Sequence, residues 1–204
     1  MPRGKTNARE FLLVDEARDL LNAPYKSNIR DRLILGLMLK CGLRAGELVA
    51  SGRQHKEKDG TIKRWETLGL RRDDLILDET KQVAKLRVIG GKGSKDRYVP
   101  VPFDLAILYK KYAENIEPDK PIFDMSRQAI YWLVNRYAKR AGIKRNVYPH
   151  MLRHTFATQA GRAGWNPRIL QEVLGHDSLE TTQIYFDLID TDMEEIHQTK
   201  KLPY

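Results

Sequence analysis

A single cysteine, Cys41, stands in a chain of 204 residues. One thiol excludes an internal disulfide and any metal site built from several thiolates, and it agrees with a reducing, cytoplasmic setting. No apolar run approaches the roughly 20 residues needed to cross a bilayer. No apolar stretch follows the basic residues at 2–9 either, so no membrane span and no secretory leader is expected. The chain also lacks internal repeats, low-complexity linkers, a P-loop pattern and a cluster of acidic residues at metal-ligand spacing.

What is present is a core-forming composition, 41% hydrophobic and 31% charged, in a length that suits one large domain or two small ones. Lysine and arginine total 36 against 27 aspartate and glutamate, a formal charge of +9. An excess of that sign favours a polyanionic partner, because each phosphate contact releases counterions. The charge is uneven: residues 53–72, 92–97 and 136–145 are basic, while 187–195 are acidic.

The pattern along the chain predicts helices, then a short strand region, then helices again. Apolar residues at helical spacing mark 14–21 and 29–39, with Leu33, Leu37 and Cys41 on one stripe. Gly42 stops the second helix, and 45–50 starts another. Residues 54–67 are polar, broken by Asp59-Gly60, and read as a hairpin or a loop. Strands are predicted at 75–77, 83–89 and 97–101, with a turn at 90–94, forming a small antiparallel sheet. Helices follow at 105–112, 127–141 and from Pro149. Asn166-Pro167 caps another helix, which Gly175 ends. Ser178 caps one that contains Tyr185, and a tail helix is predicted over 191–200.

Three clusters carry chemistry. His150 and Arg153 lie three apart at a helix start, where free backbone N–H groups and the dipole favour an anion. Arg44 sits between Gly42 and Gly46, with Glu47 placed to hold its guanidinium; the planar fork matches phosphate oxygens. His176 follows Gly175 in a turn, and Tyr185 comes nine residues later. A phenol is a weak nucleophile unless cations and a base favour its anion. Taken alone, each cluster is better explained by solvated surface residues or, for Tyr185, by a half-buried aromatic.

Taken in order, Gly42-Leu43-Arg44-x-x-Glu47-Leu48, His150-x-Leu152-Arg153-His154-x-Phe156-Ala157-Thr158 and Leu174-Gly175-His176-x-Ser178-x-x-Thr181-Thr182-x-x-Tyr185 resemble the tyrosine recombinase (phage integrase) family, most closely its Xer-type members. The run 91–100, with Lys92 and Lys95, resembles the hairpin that carries the family's catalytic lysine. The resemblance spans about residues 11–190. It implies a mainly α fold with a small antiparallel β-sheet, the catalytic domain of a DNA breaking and rejoining enzyme. It further implies that Tyr185 attacks a DNA phosphate to form a 3′-phosphotyrosine link, with Arg44, Arg153 and His176 stabilising the transition state. Lys92 (or Lys95 on the same turn) is then the general acid, His150 the base, and Glu47 a support. No cofactor and no metal is expected.

Residues 1–10 are expected to be a basic arm and 191–204 a tail helix that docks on its own domain or on a neighbour. No separate N-terminal domain fits before residue 11, and 54–67 reads as an insertion. The implied partner is double-stranded DNA, bound by a monomer that assembles into a tetramer on two sites. Lys95, Arg97, Arg140, Lys144 and Arg145 are expected to touch backbone phosphates. The competing readings are a type IB topoisomerase-like enzyme, a non-catalytic DNA-binding regulator on the same fold, and a metal-dependent nuclease using His150, His154 and His176.

Overall fold

A computed structural model of the chain describes residues 11–56, 62–90 and 96–175. Its centre is α2 (Ile29–Cys41), which packs against α1 (Val14–Asn22), α4 (Phe103–Ala113) and α6 (Pro149–Arg162). A surface helix shows one apolar stripe, whereas Leu33, Ile34, Leu35, Leu37, Met38 and Leu39 are all buried, so α2 is enclosed on every side. Asn28 caps it by accepting a hydrogen bond from the Asp31 amide.

Asp31 is the polar exception in this core. Its carboxylate accepts from Asn28, Arg30, Arg136 and the Tyr137 hydroxyl, which ties α2 to α5 (Arg127–Arg140). A buried carboxylate persists only when its oxygens are satisfied in this way. The start of the described chain is fastened similarly: the Leu12 amide donates to Thr155 Oγ1 on α6 (2.9 Å).

After α2 the chain forms a single turn, α3 (Ala45–Leu48), then an antiparallel pair, β1 (Ala50–Lys56) and β2 (Ile62–Leu68), in register from Ala50↔Leu68 to Lys56↔Ile62. The polar 54–67 segment is therefore largely hairpin, and the helix expected over 45–50 yields to strand at Ala50. A second sheet has the order β3 (Leu75–Asp78), β4 (Val83–Val88) and β5 (Arg97–Pro100), all antiparallel. Alternation decides its inner face: Leu86, Val88 and Val99 are buried. The last described helix is α7 (Pro167–Leu174). Among the described residues no helix is long and apolar enough to cross a membrane.

Candidate active site

Three chain segments far apart in sequence meet at one place. The first is the joint between α2 and α3. Gly42 closes α2 in the left-handed region (φ 67°), and the Leu43 amide still reaches Leu37 O, so the chain reverses at once and leaves Arg44 extended before α3. Glu47, on that single turn, fixes Arg44 twice. Oε2 accepts from the Arg44 amide (2.8 Å) and Oε1 from its Nη1 (3.0 Å).

The second segment is the start of α6, with Pro149 in its first turn and His150 beside it. One turn on, Arg153 is buried. It donates through Nη1 to Gly42 O (2.7 Å) and through Nη2 to Leu174 O. His150 stays at the surface. Partial burial and the Arg153 and Arg44 charges lower its pKa from the ordinary 6.5, which keeps the imidazole neutral and able to accept a proton.

The third segment is the end of α7, where Gly175 takes the left-handed conformation (φ 62°). The last carbonyls of a helix lack intrahelical partners and carry the negative end of its dipole. Here Val173 O accepts from Arg97 Nε (2.8 Å), Leu174 O from Arg153, and Gly175 O from Arg44 Nη2 (3.4 Å). Arg97 Nη2 also meets Glu47 Oε2 (3.0 Å). Three guanidiniums are thus gathered around one carboxylate and one helix end. Positive charge is left over, and an anion at this place would meet donors already held in position.

The expected residues divide as follows. Arg44 and Glu47 are hydrogen-bonded to each other, Arg153 is brought beside them by Gly42 O and the end of α7, and His150 lies within electrostatic reach of both arginines. Lys92, Lys95, His176 and Tyr185 lie outside the described residues, as do the arm at 1–10 and the tail at 191–204. Arg97, expected against DNA phosphates, turns inward to Glu47 and α7, its side chain only 9% exposed. Arg145 is likewise engaged, donating to Phe11 O and pairing with Glu16. Arg140 stacks over the Tyr25 ring (3.8 Å to its centroid), and Lys144 is exposed. The inward turn of Arg97 has a signal in the sequence: on a strand, residues two apart share a face, and Val99 is a core residue. Cys41 is enclosed, and burial pushes its thiol up to about 12. Among the described residues no three His, Cys, Asp or Glu side chains gather as a metal set would.

The family model described as "Phage integrase family" matches residues 61–191. The chain belongs to the phage integrase family. Among curated members of that family, a tyrosine recombinase of Pseudothermotoga lettingae is 33% identical over 195 residues, covering 93% of this chain and 60% of that protein. The tyrosine recombinase XerA of Pyrococcus furiosus is 35% identical over 184 residues, covering 85% of this chain and 56% of that one. The chain spans about three fifths of the length of the curated phage integrase relatives it matches. In three dimensions it resembles the crystal structure of XerA recombinase, with a TM-score of 0.71 and 29% identity over 96% of this chain and 65% of that one. The family fold recurs in XerH site-specific recombinase bound to its difH substrate (TM-score 0.67, 23% identity, 96% of this chain and 56% of that one).

Proposed function

We propose that this chain is the catalytic domain of a site-specific DNA recombinase that cuts and rejoins strands through Tyr185. The convergence of Arg44 and Arg153, held by Glu47, Gly42 O and the end of α7, carries the proposal. Transfer of a phosphoryl group gathers negative charge on the non-bridging oxygens, and fixed donors in a part-buried site stabilise it.

In the proposed reaction the Tyr185 oxygen bonds to a DNA phosphorus while the bond to the 5′ oxygen breaks. His150, neutral by its lowered pKa, takes the phenolic proton. Lys92 supplies a proton to the departing 5′ oxygen. A 5′ hydroxyl of another strand then attacks the phosphotyrosine and restores a phosphodiester. The covalent link conserves the bond energy, so the reaction calls for neither a metal nor a nucleotide cofactor. His176, directly after Gly175 in the chain, is assigned as a third donor to the phosphate. Lys95, Arg140 and Lys144 are assigned to flanking phosphates. The partner is double-stranded DNA, and the working assembly is a tetramer on two sites, with the 191–204 tail docking on its own domain or on a neighbour. Complexes of XerH with difH substrate, on the same fold, support the choice of partner.

The test is incubation with nicked suicide substrates. The wild-type chain is expected to form a covalent complex that maps to Tyr185, and Tyr185→Phe to bind DNA without forming it. An adduct that survives Tyr185→Phe overturns the proposal.

A further inference from the structure

Arg97 begins β5, the strand that leaves the segment 91–95, yet it ends inside the clamp. Its Nε donates to Val173 O and its Nη2 to Glu47 Oε2, the oxygen that also receives the Arg44 amide. Gly175 leaves room for this arrangement. A Cβ there would lie 3.1 Å from Arg97 Cδ, Nε and Cζ. One side chain therefore bridges β5, α3 and the end of α7.

We infer that Arg97 is a positioning residue that locks Arg44 through Glu47 and fastens the strand leaving residues 91–95 to the phosphate clamp. The inference rests on the recombinase reading above and assigns Arg97 no contact with DNA. Glu47 is a largely buried carboxylate, and burial by itself pushes its pKa up; the Arg97 charge and hydrogen bond, with help from the Arg44 amide and the Arg153 charge, outweigh that and hold it below the usual carboxylate range. Without Arg97 the desolvation remains while the strongest compensating charge is gone. Glu47 would then take up a proton at higher pH, and a neutral carboxyl holds a guanidinium less firmly than a charged one. Arg44 would keep its place at alkaline pH and lose it as the solution becomes more acid.

A phosphate contact and a positioning residue predict opposite results for Arg97→Gln. As a positioning residue, it should leave DNA affinity and the salt dependence of binding close to wild type, while adduct formation by the bound complex slows by roughly tenfold or more, the scale of a displaced reacting group. The acid limb of the cleavage profile should move to higher pH. Arg97→Lys keeps the charge without the fork, so it should return that limb toward the wild-type position with a rate between the two. Thermal melts of both variants show which of them is folded at the assay temperature, and the Lys variant carries the test if the Gln variant is not. Weakened binding with a shallower salt slope, beside an unchanged cleavage rate and an unmoved acid limb, overturns the inference and leaves the recombinase reading intact. A wild-type chain that forms no adduct removes the reading itself, and the inference with it.

Discussion

Replacing Gly42 by alanine tests how tightly the joint between α2 and α3 packs on the core. Two costs add at this position. An L-residue held in the left-handed region costs about 1–2 kcal/mol, offset by about 0.4–1 kcal/mol because alanine narrows the unfolded ensemble. The second cost is steric: the new Cβ would lie 2.4 Å from Phe156 Cδ1 and 2.9 Å from Cε1, on a ring that is fully buried and set edge-on against Trp165 at 5.8 Å. That ring cannot retreat freely, and overpacking of this kind costs about 1–3 kcal/mol. The sum is about 1–5 kcal/mol, or a melting temperature lower by roughly 2–20 °C at this chain length. Gly164 is the control. It has φ +73° and nothing within 4 Å of its notional Cβ, so Gly164→Ala incurs the backbone cost alone, about 1 kcal/mol. Denaturant titration followed by circular dichroism measures both. If Gly42→Ala is no more costly than Gly164→Ala, within about 0.5 kcal/mol, the close packing of Gly42 on Phe156 is refuted. Because Gly42 O receives Arg153, the strained variant should also lose more cleavage activity than its folded fraction explains.

An NMR titration of His150 in the free protein should give a pKa below 6.5, and Arg44→Gln should raise it by removing one of the cations beside the ring. The sign for stability is that of a depressed group: the folded state binds fewer protons than the unfolded chain, so the contribution is complete above 6.5 and lost as pH falls through the folded value. A His150 titration at or above 6.5, unmoved by Arg44→Gln, contradicts the electrostatic coupling. Cys41, fully enclosed and with its thiol pushed up to about 12, should resist thiol reagents in the folded protein and react at once in denaturant. Rapid labelling of the native chain would show that the core opens around α2.

Helix α2 illustrates what the sequence makes legible. Its apolar residues crowd every face, which marks enclosure, and Asn28 and Gly42 punctuate its ends, so its existence and limits follow from local chemistry. The strands at 75–78, 83–88 and 97–100 follow equally well from alternation and from the paired glycines that follow the second of them in the sequence. Residues 45–50 show the opposite. Alanine, glutamate and leucine favour a helix locally, but pairing of Ala50 with Leu68 ends it after one turn, and that pairing depends on residues far along the chain. At the site, Arg44, Glu47, His150 and Arg153 were accessible as motifs because short spacing sets their relative placement. The convergence of Arg97, Arg153 and Arg44 on successive α7 carbonyls was not, since those contacts join positions more than a hundred residues apart in one case and are dictated by tertiary packing. Arg145 shows the same limit: a basic residue within a basic stretch reads as solvated until its partner is known.

The end of α7 has one more consequence. Like-charged groups crowded together repel, and a pocket that gathered its cations only when substrate arrived would have to overcome that repulsion during the reaction. Main-chain oxygens at the close of an eight-residue helix already balance part of it within the fold itself. On the recombinase reading proposed above, an incoming phosphate would complete a charge pattern that folding has set out in advance.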